Sequence, residues 1–394
     1  MAISIPYSHA ASRLAFIGIF TPGLSDNHPA GLPICMEGLR GSGKTEAVNQ
    51  VIRDHGIPVF TALEANKLQP YDLAGIPAPT ADGDFMRFLP LAHWKPFTAL
   101  QKHELGVVFL DELTAEVRSD TYAAMLTLLT ERKVGDVRLS PRTVILGACN
   151  TEAEQPSDMS AAMRDRWMRV ALPDVRDISA WSTHADAAIA GLRTTQGARP
   201  YTDVVAEIDA VWKPAVLRAK AEIAAFLRGQ PAHLRTNPTA TDRGTSDRTW
   251  LNLAVRVRAA AKVFDMTKAE AALLMESAVG DGPANDFMVW LSQANLPDPE
   301  AVLNGRHALA PAKTYRIDVL AAITEMVTQV GVQVHEAGGL DPAQQKVLID
   351  MVSDAQSFAP DILQSPLTAL IQAPGILPQK DMVKLMSSWA SVIR

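Results

Sequence analysis

The stretch Ile34-Cys35-Met36-Glu37-Gly38-Leu39-Arg40-Gly41-Ser42-Gly43-Lys44-Thr45 decides the fold. A short apolar run over Pro33–Glu37 reads as a strand, a glycine-rich turn follows, and a helical pattern begins at Lys44 and continues to Asp54. Gly38 to Thr45 matches GxxxxGK[ST], and the flanking strand and helix are the context that gives that string its meaning. Glycines let the backbone curl so that its N–H groups and the helix N-terminus face an anion. Gly38, Arg40, Gly41, Ser42, Gly43, Lys44 and Thr45 are therefore the candidate phosphate-binding residues. Lys44 would reach the β- and γ-phosphates and the Thr45 hydroxyl would ligate Mg²⁺. The implied ligand is a nucleotide with Mg²⁺.

Working outward, Pro58–Leu63, Val107–Asp111, Thr143–Cys149 and Met168–Leu172 repeat the pattern of the first strand. Each is short, apolar and bounded by polar or turn residues. Helical stretches lie between them, including Ser119–Glu131. Near-continuous apolar strands alternating with helices imply a parallel sheet covered on both faces. After Pro173 strand signals stop and alanine-rich helical periodicity takes over. Val204, Ile208, Val211, Trp212, Ala215 and Ala219 line one face of a long helix, which Pro214 is expected to break or restart. Gly229–Asp247 is polar and reads as a mobile loop or linker. Helices resume over Thr249–Phe264 and Lys268–Val279, and four more are expected between Lys313 and Arg394. The expected division is an N-terminal segment (1–28), an α/β nucleotide-binding core (29–174), a helical lid with a long insertion (175–312) and a helical C-terminal extension (313–394).

Three further places carry candidate chemistry. Val107–Leu110 ends in Asp111-Glu112, an arrangement that delivers two carboxylates to the carboxyl edge of the sheet, where ligands collect in open α/β folds. Asp111 would hold Mg²⁺ and Glu112 would orient or deprotonate the attacking water. Asn150, following Thr143–Cys149, either contacts the γ-phosphate or caps a turn. Arg164-Asp165-Arg166-Trp167 offers either an arginine finger acting on a neighbouring subunit or a surface salt-bridge cluster.

Composition narrows the class. Of 394 residues 47% are apolar and 20% charged, within the ordinary globular range of about 45–50% apolar, which excludes collagenous, disordered and disulfide-stapled chains. The net charge of −6 argues against a life on the nucleic-acid backbone. Leu14–Phe20 is too short to span a bilayer, and the expectation is a soluble, cytoplasmic protein. The two cysteines, Cys35 and Cys149, are far apart in sequence and read as small buried hydrophobes. Nine scattered histidines form no zinc-type spacing, so Mg²⁺ is the only metal expected.

The phosphate loop, the Asp-Glu strand, the strand-terminal Asn and the Arg-Asp-Arg-Trp segment together resemble the AAA+ ATPases, and the MoxR branch in particular. Gln69-Pro70-Tyr71-Asp72-Leu73-Ala74-Gly75 is similar to that branch's Asp-Leu-x-Gly segment. Asp111-Glu112-Leu113-Thr114 and the helix carrying Leu126, Leu128 and Leu129 resemble it too. The resemblance covers about 31–173. It implies a P-loop core with an all-α lid, Walker A at Gly38–Thr45, Walker B at Asp111 and Glu112, and sensor 1 at Asn150. It further implies an arginine finger at Arg166, with Arg164 as the alternative, and sensor 2 at Arg248 within Ser246-Asp247-Arg248-Thr249-Trp250. Leu113-Thr114-Ala115-Glu116 departs from the branch's Ile-Asn-Arg-Ala.

What the resemblance implies about activity is Mg-dependent ATP hydrolysis by a ring, a hexamer, that remodels or activates a partner protein, with a von Willebrand factor A-like domain protein as the partner. A nucleic-acid-linked motor or loader is the alternative. Between Pro77 and Pro96, Phe85, Met86, Phe88 and Trp94 either contact substrate or partner, as in the similar MoxR insertion, or pack onto the core.

Overall fold

The computed structural model describes residues 3–113, 117–151, 161–172, 197–237 and 243–392. The 174/175 boundary, residues 114–116 of the departure from the branch and the Arg164 side chain lie outside what it describes.

All five expected strands form, as β1 (Ile34–Glu37), β2 (Val59–Glu64), β5 (Gly106–Asp111), β8 (Thr143–Cys149) and β9 (Met168–Ala171), with β3 (Ile76–Pro79), β4 (Met86–Leu89), β6 (Lys133–Val134) and β7 (Val137–Arg138) in two small hairpins. The large sheet is parallel throughout, in the order β2-β5-β8-β1-β9. Successive side chains of a strand point to opposite faces, and the burial follows that period. Ile34, Met36, Val107, Phe109, Leu146 and Ala148 enter one apolar cluster, while Cys35, Val108, Leu110, Ile145 and Cys149 enter another. Helices α1 (Ala10–Phe20) and α2 (Lys44–His55) cover the first face. The second is covered by α3 (Pro70–Ala74) and α4 (Ser119–Glu131), together with Trp94, Phe97 and Trp167.

Beyond β9 the longer elements of the described chain are helices: α5 (Tyr201–Gly229), α6 (Val255–Val263), α7 (Lys268–Val279), α8 (Asp281–Gln293), α9 (Ile317–Gly338), α10 (Pro342–Phe358), α11 (Gln364–Ile371) and α12 (Gln379–Val392). The four expected after Lys313 are α9 to α12. Two expectations fail. Pro214 does not interrupt α5, which runs 29 residues through it. A proline inside a helix costs about 3 kcal/mol. Here Pro214 and Ala210, whose carbonyl loses its partner, both lie exposed, where water can bond that oxygen. Val204, Val205, Ile208, Trp212, Ile223 and Phe226 are all buried. At about 1.5–3 kcal/mol each, they outweigh the defect.

Nor are the described parts of Gly229–Asp247 a free linker. Thr236 and Thr245 bridge with paired backbone bonds of 3.3 Å, reinforced by their own hydroxyls. Arg243 donates to the carbonyls of Asp165, Trp167 and Ser277, tying this segment to the base of β9 and to α7. Helix α8 goes unread because it opens on Gly282-Pro283, residues that resemble a turn, although proline fits the first turn of a helix.

Among the described residues one helix, α9, is long and apolar enough to cross a membrane; 67% of its most apolar window is buried within the protein.

A buried charge cluster joins α5 to α6. The Glu222 carboxylate is 1% exposed and accepts from Arg258 Nε at 2.6 Å, Arg218 Nε at 3.2 Å and Lys262 Nζ at 3.3 Å. Burial alone would raise its pKa, but Arg258, Lys262 and Arg218 overcome that and hold it below the ordinary glutamate value. Glu222→Gln leaves three cations around a neutral amide and is expected to lower stability in urea by about 3–5 kcal/mol. A loss under about 1 kcal/mol would contradict this account of the cluster. Because the folded-state pKa is depressed, the contribution is complete above the ordinary value of 4.5 and is lost as pH falls through the folded value.

Candidate functional site

The parallel register sends β1, β5 and β8 out of the sheet at one edge, and the loops that follow them converge there. Between β1 and α2, Gly41 and Gly43 adopt φ of +74° and +79°, the left-handed region that favours glycine. A Cβ at Gly41 would meet no atom within 4 Å, so the loop's crest faces open space. The loop is tied to the sheet by Gly38 N–H donating to the Cys149 carbonyl at 3.3 Å.

Lys44 opens α2 and turns back beneath the loop. Its ammonium is buried and donates to the carbonyls of Gly38 at 2.8 Å and Leu39 at 3.0 Å, and to Asn150 Oδ1 at 3.3 Å. Asn150 thus meets the lysine of the phosphate loop. Thr45 Oγ1 donates to Asp111 Oδ2 at 2.6 Å, joining the first turn of α2 to the end of β5. Asp111 and Glu112 are consecutive yet diverge, because Glu112 takes φ +56°. A non-glycine residue held there stores strain, of order 1–3 kcal/mol, and such residues cluster at functional sites. The turn leaves Asp111 facing Thr45 and sends Glu112 toward Asn66, whose Nδ2 donates to Glu112 Oε2 at 2.6 Å.

Asn66 is the residue that sequence reading missed. It lies in a single 3₁₀ turn after β2, and nothing in the string marks it. The register does: Glu64 of β2 pairs with Asp111 of β5, so the residues just beyond each strand end up side by side.

Lys44, Thr45, Asp111, Glu112 and Asn150 are therefore brought together; Arg166 and Arg248 are not. Met168 pairs with Ile34 and Ala171 with Glu37, so residues before β9 lie at the edge opposite the phosphate loop, about 10 Å away along a four-residue strand. There Arg166 donates to Thr130 Oγ1 and the Ala162 carbonyl, each at 2.7 Å. Arg248 reaches Asp165 Oδ2 at 3.2 Å. The exposed Arg40 side chain remains on the phosphate loop, and Ser42 Oγ lies 3.5 Å from Lys44 Nζ.

The candidates between Pro77 and Pro96 divide. Phe85, Met86 and Phe88 are 71%, 61% and 45% exposed on the β3–β4 hairpin, whereas Trp94 is fully buried and donates from its indole to the Asp72 carbonyl. Neighbouring Tyr71, Ile76 and Leu89 are exposed as well. The outer edges of the hairpin are blunted. Pro77 and Pro79 remove two donors from β3, and the Phe88 N–H and carbonyl of β4 are taken by Asp136 at 2.6 and 2.9 Å.

These residues fit a Mg²⁺-bound nucleotide. Hydroxyl and carboxylate oxygens are the hard donors that Mg²⁺ takes, usually one or two per site with phosphate supplying the rest, and Thr45 and Asp111 already stand within hydrogen-bond reach of each other. The open glycine crest and the N-terminus of α2 suit a chain of phosphates.

No protein-family model matches this chain, and no curated protein sequence does either. Among solved structures, the crystal structure of a candidate ATPase from Cytophaga hutchinsonii is similar over 70% of this chain and 82% of its own, at 18% identity and a TM-score of 0.45. A likeness that distant bears on neither fold nor function, both of which rest on the geometry above.

Proposed function

We propose that this protein is a Mg-dependent ATPase of the P-loop class. The observation that carries the reading is the meeting of Lys44, Thr45, Asp111 and Asn150 at one sheet edge, with Glu112 beside them. When bound between Thr45 and Asp111, Mg²⁺ would neutralise charge on the β- and γ-phosphates. Lys44 would exchange its loop carbonyls for phosphate oxygens, guided by Asn150. Glu112 would take the proton of the attacking water, and Asn66 would hold that carboxylate in place beforehand. Releasing it by Asn66→Ala is expected to change steady-state phosphate release by about 3–10-fold with nucleotide affinity unchanged; identical turnover would remove Asn66 from the account.

The finer reading follows the resemblance to MoxR-type AAA+ proteins: a hexameric ring that uses hydrolysis to remodel or activate a partner protein, with a von Willebrand factor A-like domain protein as the partner. Two features support it. Arg166 lies at the edge away from its own chain's phosphate loop, as a residue acting on a neighbour's γ-phosphate would. The β3–β4 hairpin offers an apolar face with blunted strand edges, which favours docking by side chains over strand addition. Mixing Arg166→Ala with Glu112→Gln subunits, each inactive alone, is expected to restore part of the activity. No recovery in a preparation shown to contain mixed oligomers would overturn the shared site.

A further inference from the structure

Cys35 and Cys149, 114 positions apart in the chain, meet in the sheet: the Cys35 thiol points at Cys149 Sγ, 3.4 Å away. Both are free thiols, 0% and 1% exposed, and the chain has no third cysteine. They occupy neighbouring strands on the same face, but not opposite each other. Cys35 pairs with Gly147, and Cys149 with Glu37. With neighbouring strands about 4.8 Å apart and a two-residue offset of about 6.6 Å along them, their Cα atoms stand about 8 Å apart, beyond the 4.4–6.8 Å that a disulfide accepts. A bond would therefore have to draw the ends of β1 and β8 together.

Those ends carry the phosphate loop. Cys35 lies three residues before Gly38; the Cys149 carbonyl receives the Gly38 N–H, and the next residue, Asn150, receives Lys44. We propose that Cys35 and Cys149 form a reversible disulfide under peroxide and that this bond disorders the phosphate loop above it. Its effect on ATP rests on the nucleotide reading given above; the bond and the loop's response do not.

The chemistry is a two-electron exchange with peroxide. One cysteine, as thiolate, attacks a peroxide oxygen; the O–O bond breaks, giving a sulfenic acid and, after protonation, water. The second thiolate attacks the sulfenic sulfur, the S–O bond breaks, and a second water leaves as the S–S bond forms. Two thiols are oxidised and one peroxide becomes two waters. Burial raises the Cys35 thiol well above its ordinary range, and thiolates are the reactive form. Oxidation is therefore slow and needs a local opening of the apolar cluster that buries both thiols. The misfit of the diagonal pair makes the product strained and easily reduced.

The test exposes the full-length protein to hydrogen peroxide and follows intact mass and amide hydrogen exchange. The expected result is a loss of 2 Da, reversed by dithiothreitol and absent from Cys35→Ala and Cys149→Ala. Exchange at Gly38–Lys44 should become at least tenfold faster in the oxidised form. Fluorescent ATP affinity should fall at least tenfold in parallel, and ATP should slow the oxidation. An unchanged mass, gains of 16 or 32 Da only, or a disulfide that leaves loop exchange unaltered would overturn the proposal. Faster loop exchange with no nucleotide binding in either form would leave the switch standing and refute the nucleotide reading instead.

Discussion

Glu112→Gln is expected to lower ATP hydrolysis by about 10²–10⁴-fold, the range general-base catalysis contributes, while leaving nucleotide affinity within about threefold of the parent. Glutamine keeps the size of the side chain and an oxygen that Asn66 Nδ2 can still bond at the Glu112 position, so the left-handed turn and the placement of Asp111 should survive. What it loses is the ability to accept a proton from water. In single-turnover phosphate release the variant should bind and stall. Retention of more than a tenth of parental turnover would remove Glu112 from the chemical step.

Lys44→Ala is the second large effect, and it falls on binding. The ammonium sits among the carbonyls of Gly38 and Leu39 and the amide oxygen of Asn150, and a phosphate would offer it stronger, fully charged acceptors. A hydrogen bond to a charged group is worth about 1.5–3 kcal/mol net, so losing one or two raises the dissociation constant roughly 10- to more than 100-fold. The variant also leaves loop carbonyls without their donor, so its folding should be checked by thermal melting alongside the titration. Parental affinity in a folded Lys44→Ala protein would contradict the assignment of the loop.

The parallel sheet is legible in the sequence because every strand is a short apolar run ending at polar or turn residues. The phosphate loop is legible because glycine, lysine and threonine at fixed spacing have few other uses between a strand and a helix. What escapes is whatever depends on register or on packing at a distance. Asn66 joins the site only because β2 pairs with β5. Cys35 and Cys149 look unrelated until β1 and β8 lie side by side. Pro214 reads as a break because its local cost is visible, while the burial of Trp212 and Phe226 that offsets it is not. Arg166 and Arg248 each carry a resemblance, yet the direction of β9 puts Arg166 at the far edge of the sheet from the phosphate loop, and Arg248 is bonded to Asp165 beside it.

The loop from Gly38 to Thr45, closed by Asp111, is proposed to hold a nucleotide through Mg²⁺. Titrating a fluorescent ATP analogue into the full-length protein, with Mg²⁺ and again with excess chelator, tests it most directly. The expected result is saturable binding at one site per chain, competed by ATP and weakened at least tenfold by the chelator. Absence of saturable binding, or equal affinity with and without Mg²⁺, would contradict it.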